Sequence, residues 1–232
     1  MPRSGASGVG NVSSESALGA PDPTTKPPSA PLACQRFVVA RAVGTWWNNG
    51  VDALLELLRR RGFRRGSFTL SSGKESDFFI DCKPAVLLAE GHALVGSALL
   101  DRIGDVGGVV SAVAGVELGG CPLASAVAYT SWSRGAPLDA VYIRKATKDH
   151  GTKKMLEGAD HLAQGARLVI VEDTVTTGGS TLRATNAVEK AGYEVAGIVA
   201  VVDRLEGGAE AIRDAGYTFT SLYDRRDSMG ED

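Results

Sequence analysis

After an opening stretch with no apolar rhythm, the chain alternates between helically spaced apolar positions and short blocks rich in β-branched residues. Leu54, Leu55, Leu57 and Leu58 fall on one amphipathic helix that runs into basic residues and stops at Gly62. A second helix is predicted over residues 89–103, with Leu94, Ala98 and Leu99 on one face. There follow a predicted strand (109–114), a helix (122–132), a strand (138–143), a strand beginning at Leu168, a helix within 182–192 and a strand (195–202). Alternation of this kind argues for a parallel sheet with helices on both faces. Between the first two helices, SFTL (67–70) and DFFID (77–81) alternate with period two about a Ser/Gly turn. They predict a short hairpin, a hood over a sheet-edge pocket.

Where apolar strands stop, chemistry begins, and LVIVEDTVTTGGST (168–181) is the most informative case. Leu168, Val169, Ile170 and Val171 read as a strand buried on both faces. A turn rich in Thr, Gly and Ser follows, and then a helix, so hydroxyls and unobstructed backbone N–H groups meet at a helix N-terminus, as in a phosphate cradle. Glu172 and Asp173 would repel a phosphate, but suit sugar hydroxyls or a hydrated divalent cation beside it. A phosphorylated sugar fits both halves. The segment has neither the Gly-Lys-Ser/Thr of a nucleoside-triphosphate loop nor the three-glycine spacing of a dinucleotide fingerprint.

Composition narrows the setting. A net charge of −2 over 232 residues gives no bulk attraction for nucleic acid, so anion binding must be local. Cys34, Cys82 and Cys121 are odd in number and lack metal-site spacing, which favours free thiols in a reducing compartment, the cytoplasm by default. Residues 1–45 read as a disordered N-terminal extension, dominated at first by Ser, Gly, Ala and Pro. The more apolar CQRFVVARAVGTWW is too short and too interrupted by Arg36 and Arg41 to span a bilayer, so no membrane partner is expected.

VIVEDTVTTGGS resembles the phosphoribosyl-pyrophosphate signature of the type I phosphoribosyltransferases. The resemblance implies that family's α/β fold, a central, mostly parallel sheet flanked by helices with a small hood, over residues 46–232. It assigns Glu172 and Asp173 to the ribose hydroxyls, and Thr174, Val175, Thr176, Thr177, Gly178, Gly179 and Ser180 to the 5′-phosphate. Mg²⁺ would be held mainly by substrate and water near the two acids.

YIRKATKDHG (142–151) sets three permanent cations and a histidine after a predicted strand. Cations aimed at a departing pyrophosphate lower the barrier if they engage more strongly in the transition state. The segment resembles the catalytic loop of orotate phosphoribosyltransferases, which reaches the neighbouring subunit's active site. That implies a homodimer with shared sites, Lys145, Lys148 and His150 as catalytic residues, and Arg144 around the pyrophosphate. The same family reads its pyrimidine through the positions of Phe79, Ile80 and Thr176, and its carboxylate through that of Arg204. A lysine is frequent in the family at the position of Ser71, and some members have one at that of Gly119, whose contact here would be through main chain.

The implied reaction joins orotate and phosphoribosyl pyrophosphate to give orotidine 5′-phosphate and pyrophosphate in pyrimidine synthesis. Salvage of another base fits Phe79 and Arg204 less well. A regulator that senses phosphoribosyl pyrophosphate without turnover would be expected to lack the cationic loop and to add a nucleic-acid-binding segment.

Overall fold

The computed structural model describes residues 47–69, 75–145 and 154–229, all within one compact unit. The 1–45 extension, Ser71, Lys148 and His150 lie outside the described residues. The chain runs α1 (Trp47–Arg61), β1 (Phe63–Thr69), β2 (Glu75–Ile80), α2 (Lys83–Val86), α3 (Ala89–Gly104), β3 (Ala112–Val116) and α4 (Gly120–Ser133). It continues through β4 (Asp139–Ile143), β5 (Leu156–Glu157), β6 (Arg167–Val175), α5 (Gly179–Lys190), β7 (Glu194–Asp203), α6 (Gly208–Asp214), β8 (Phe219–Asp224) and α7 (Arg225–Met229).

Six strands form the main sheet in the order β5-β4-β3-β6-β7-β8. Every neighbouring pair is parallel except the short β4–β5 pair. The period-two geometry of β6 divides its apolar run between two cores. Val169 and Val171 pack with Leu54, Leu58, Leu99 and Leu123 from α1, α3 and α4. Leu168 and Ile170 pack with Ala184, Val188 and Ile212 from α5 and α6. Each fully buried Leu, Ile or Val contributes roughly 1.5–3 kcal/mol. The expected parallel sheet with helices on both faces is the observed one.

The differences from the sequence pattern have local causes. The strand expected over 109–114 is β3, Ala112–Val116. Val109 stays exposed, and pairing starts only where the Ser111 N–H reaches the Arg167 carbonyl. β6 does not end with its apolar run: it carries Glu172, Asp173, Thr174 and Val175 along β7 as far as Val175↔Asp203. Helix α5 starts at Gly179, inside the Thr/Gly turn, three residues before the predicted helical segment. α2, β5, α6 and α7 had no prediction because they are short, and β8 had none because FTSLYD lacks a period-two alternation.

β1 and β2 form a separate antiparallel hairpin, with Phe63 opposite Ile80, Arg64 opposite Phe79 and Arg65 opposite Phe78. This is the expected hood. It is anchored through Phe78 and Ile80, both buried in the α1/α3/α4 core.

Candidate active site

The strand order reverses between β3 and β6: β3 leads outward to β4, whereas β6 leads the opposite way to β7 and β8. In an open parallel sheet, the crossovers on either side of such a reversal diverge, leaving a crevice at the strands' carboxyl ends. The segment after β3 and the acids of β6 therefore face one another by topology. Their contact is close. A Cβ built on Gly119 would lie 2.0 Å from Asp173 Oδ2 and 2.3 Å from its Cγ, so a larger residue here requires this carboxylate to shift. The Glu117–Leu118 peptide just before it is cis.

Glu172 is buried, and its Oε2 has no hydrogen-bond partner among the described residues. Burial first, then the neighbouring Asp173 charge, push its carboxyl well above the ordinary range, while Lys145 pulls it down. Burial also raises Asp173, opposed by Lys83 and by the Thr174 N–H that donates to Oδ1 at 2.8 Å. Among the described residues no group of three His, Cys, Asp or Glu could hold a metal ion, so protein ligands at this site amount to the adjacent pair. The orphaned Glu172 oxygen and that short donor set fit a cation kept chiefly by substrate and water.

Beyond the acids, Thr174 and Val175 lie in β6, with Val175 buried and its carbonyl accepting the Arg204 N–H at 3.0 Å. Thr176 and Thr177 form the turn. Gly178 caps α5 with φ 77°, a left-handed conformation natural to glycine. Gly179 and Ser180 then open the helix, whose first N–H groups have no partner within it. A cleft of about 420 Å³ lined by Met155, Arg183, Asn186 and Lys190 touches this loop at Gly179 only. It is therefore a neighbour of the carboxylates, separate from them.

Arg204 follows β7. It is buried, with its guanidinium carbon 4.6 Å from the centre of the Phe78 ring. Nη2 lies 2.9 Å from Glu206 Oε1, an ion pair without hydrogen-bond alignment, and among the described residues neither Nε nor Nη2 has a hydrogen-bond partner. A surface ion pair is thus not the whole account: the arginine is desolvated with donors unused. In the hood, Phe78 is core while Phe79 is 37% exposed, its ring 5.5 Å from that of Phe68. Ile80 is buried. Among the described residues, the edge of β2 away from β1 has no strand partner.

Arg144 leaves β4 with its Nη1 3.0 Å from Glu157 Oε1, while its buried Nε has no hydrogen-bond partner among the described residues. The Lys145 side chain is exposed, and its N–H donates to Glu117 Oε2 at 2.9 Å, tying this segment to the one after β3.

Sequence reasoning missed Asp81 and Lys83. Lys83 Nζ lies 2.6 Å from Asp81 Oδ1 and 3.8 Å from Asp173 Oδ2. Between them, fully buried Cys82 sets Sγ 3.5 Å from the Asp173 carbonyl, and burial pushes its thiol up to about 12. The available signal was an acid and a cation two residues apart, directly after a hood strand.

Residues 88–220 match the phosphoribosyl transferase domain. The orotate phosphoribosyltransferase of Sorangium cellulosum is 55% identical over 176 residues, covering 76% of this chain and 91% of that one. That of Bradyrhizobium sp. ORS 278 is 42% identical over 178 residues, 76% of this chain and 95% of the other. A crystal structure of Mycobacterium tuberculosis orotate phosphoribosyltransferase in complex with 5-phospho-α-D-ribosyl 1-diphosphate superposes with a TM-score of 0.64 at 36% identity, over 78% of this chain and 99% of that chain. With near-complete coverage of these relatives and the switch-point arrangement of its sheet, the chain belongs to the orotate phosphoribosyltransferases.

Proposed function

We infer that the protein transfers the 5-phosphoribosyl group from phosphoribosyl pyrophosphate to orotate, releasing orotidine 5′-phosphate and pyrophosphate in the synthesis of UMP. The observation that carries this reading is the convergence, at neighbouring strand ends, of a buried and a half-buried acid, a helix-N-terminal Thr/Gly turn and a buried arginine with unused donors. In the reaction, the deprotonated N1 of orotate forms a bond to the anomeric carbon as the carbon–oxygen bond to pyrophosphate breaks. The electron pair of the broken bond leaves on pyrophosphate, and the transition state resembles an oxocarbenium ion.

Glu172 and Asp173 take the ribose hydroxyls, which supply hydrogen-bond donors to oxygens that burial has stripped of water. Thr176, Thr177, Gly178, Gly179 and Ser180 take the 5′-phosphate at the start of α5, with Thr174 and Val175 fixing the turn from β6. Arg204 takes the orotate carboxylate, which is planar and suited to a guanidinium fork, and backbone groups of Phe79 and Ile80 with Thr176 meet the ring. Gly119 presents main chain to the pyrophosphate, with Arg144, Lys145, Lys148 and His150 as its cations. No covalent protein nucleophile is required; positioning and charge stabilisation supply the rate. Mg²⁺, when bound beside Glu172 and Asp173, supplies neutralisation of the pyrophosphate charge.

We further assign a homodimer with shared sites. Tyr129 and Trp132, one turn apart on α4, are 76% and 74% exposed, and large exposed aromatics are characteristic of interface cores. A reducing, cytoplasmic setting suits free Cys82 and Cys121. Turnover with orotate, uracil, adenine and hypoxanthine tests the reaction: product from orotate alone is expected, and equal use of another base would overturn it. Mixing the Lys148→Ala and Asp173→Ala variants tests sharing. Heterodimers should regain activity well above either parent; no gain despite confirmed subunit exchange refutes it.

A further inference from the structure

The hood delivers a cation to the signature strand from a part of the chain 90 residues away, at Lys83. Three contacts define its place. Asp81 Oδ1 accepts both the Lys83 backbone N–H, at 3.1 Å, and the ammonium, at 2.6 Å, so one carboxylate oxygen fixes both ends of the lysine. The same ammonium faces Asp173 Oδ2 at 3.8 Å. Cys82 packs its thiol against the Asp173 carbonyl and the Thr174 hydroxyl, at 3.5 and 3.6 Å, which sets the distance between the tripeptide and β6.

The two oxygens of Asp173 are thereby held differently. Oδ1 is tied to its own strand by the Thr174 N–H. Oδ2 lies against Gly119, where there is no side chain to fix it, and among the described residues Lys83 is the cation paired with it. Without that charge the carboxylate would keep one anchor and could rotate about its Cβ–Cγ bond within a crevice that also holds the charge of Glu172.

We propose that Lys83 is a positioning residue for Asp173: braced by Asp81, its ammonium fixes the carboxylate oxygen that the backbone leaves free, so that the pair of acids is preorganised for the ribose of the donor. The assignment rests on the ribose role of Asp173 given above. The alternative is an ion pair that merely secures the start of α2, in which case its loss would alter stability and leave donor binding alone.

The test uses the full-length protein and phosphoribosyl pyrophosphate with Mg²⁺, reading donor Kd by calorimetry beside kcat and KM for both substrates. Lys83→Met should raise donor Kd and KM about fivefold, the scale of a partly exposed ion pair at the upper end of its range, with orotate KM unchanged. Lys83→Arg should restore most of the loss, because charge and reach are kept. In an Asp173→Asn background, Lys83→Met should add less than about twofold, since the partner charge is already gone. Unchanged donor affinity in Lys83→Met, the same added factor in both backgrounds, or parallel rises in both KM values with a lowered Tm would each overturn the proposal. Should Lys83→Met not fold, Asp81→Ala removes the brace and keeps the ammonium; it should raise donor KM alone, and no change would refute the brace. Failure of the unmodified protein to use orotate would instead sink the reaction assigned above, a separate result because donor binding is measured without orotate.

Discussion

Gly119→Ala places a methyl group where the Asp173 carboxylate now lies. The added Cβ would stand 2.0 Å from Oδ2, and ordinary contact begins near 3.4 Å, so the two must separate by about 1.4 Å. The carboxylate has little freedom to yield, because Oδ1 is bonded to the Thr174 N–H and Oδ2 faces Lys83. Shifting the segment after β3 instead would pull on Glu117, whose N–H donates to the Ile143 carbonyl and whose carboxylate holds the Lys145 N–H. Overpacking of this kind costs about 1–3 kcal/mol, and a misplacement of about 1 Å at a reacting centre can cost on the order of 10²-fold in rate. Steady-state kinetics should therefore give a donor kcat/KM lowered about 10²-fold. The melting temperature should drop by a few degrees, at about 2–4 °C per kcal/mol for a domain of this size. Adding Gly119→Ala to Asp173→Ala should cost little more than Asp173→Ala alone, since the obstruction is gone. Wild-type donor kinetics in Gly119→Ala would refute the steric argument outright.

Arg204→Ala should weaken orotate binding at least about 30-fold, the scale of losing a charge-assisted pair worth about 2 kcal/mol, and leave donor binding nearly intact; equal losses in separate titrations would count against the carboxylate role. Arg204→Lys should fail to restore orotate use, because a lysine offers neither a planar fork nor a face to stack on Phe78. Glu172→Gln tests the buried acid in the absence of ligands. Because the folded carboxyl titrates above its ordinary 4.5, the folded protein holds a proton that the unfolded chain has released, so its stability contribution is present at low pH and lost as pH rises through that window. The variant should melt higher than wild type at about pH 7.5 and lose that advantage near about pH 5; a constant difference would refute the titration. Trp132→Asp, in the exposed face of α4, should shift the sedimentation of the protein toward monomer and lower activity with it, and an unchanged mass would remove α4 from the interface.

Much of the architecture was legible because it is written locally. The buried strands announce themselves as short apolar runs, and the Thr/Gly turn follows directly from composition at a strand end. The strand order was not legible, because neighbours such as Ala112 and Leu168 are chosen by long-range packing. The persistence of β6 through Glu172 and Asp173 was hidden for a related reason: pairing with β7 carries two acids into a strand that polarity would have ended. Lys83 shows the limit most clearly. It and Asp173 meet only because the hood and β6 both pack on the α1/α3/α4 core, through Phe78 and Val171.

The reversal of strand order between β3 and β6 also separates two kinds of redesign. On the proposed assignment, donor chemistry hangs from β3 and β6, whereas the groups facing the base hang from β2 and the end of β7, with Thr176 after β6 shared between the two. Exchanging Arg204 and the residues around Phe79 should then alter what is accepted without rewriting the carboxylates assigned to the ribose. A library confined to those two strand ends would therefore explore new nucleobases on an unchanged sugar-phosphate platform. The coupling to watch is Phe78, whose ring lies beneath both Arg204 and Arg225, so that acceptor preference and hood stability will change together wherever it is touched.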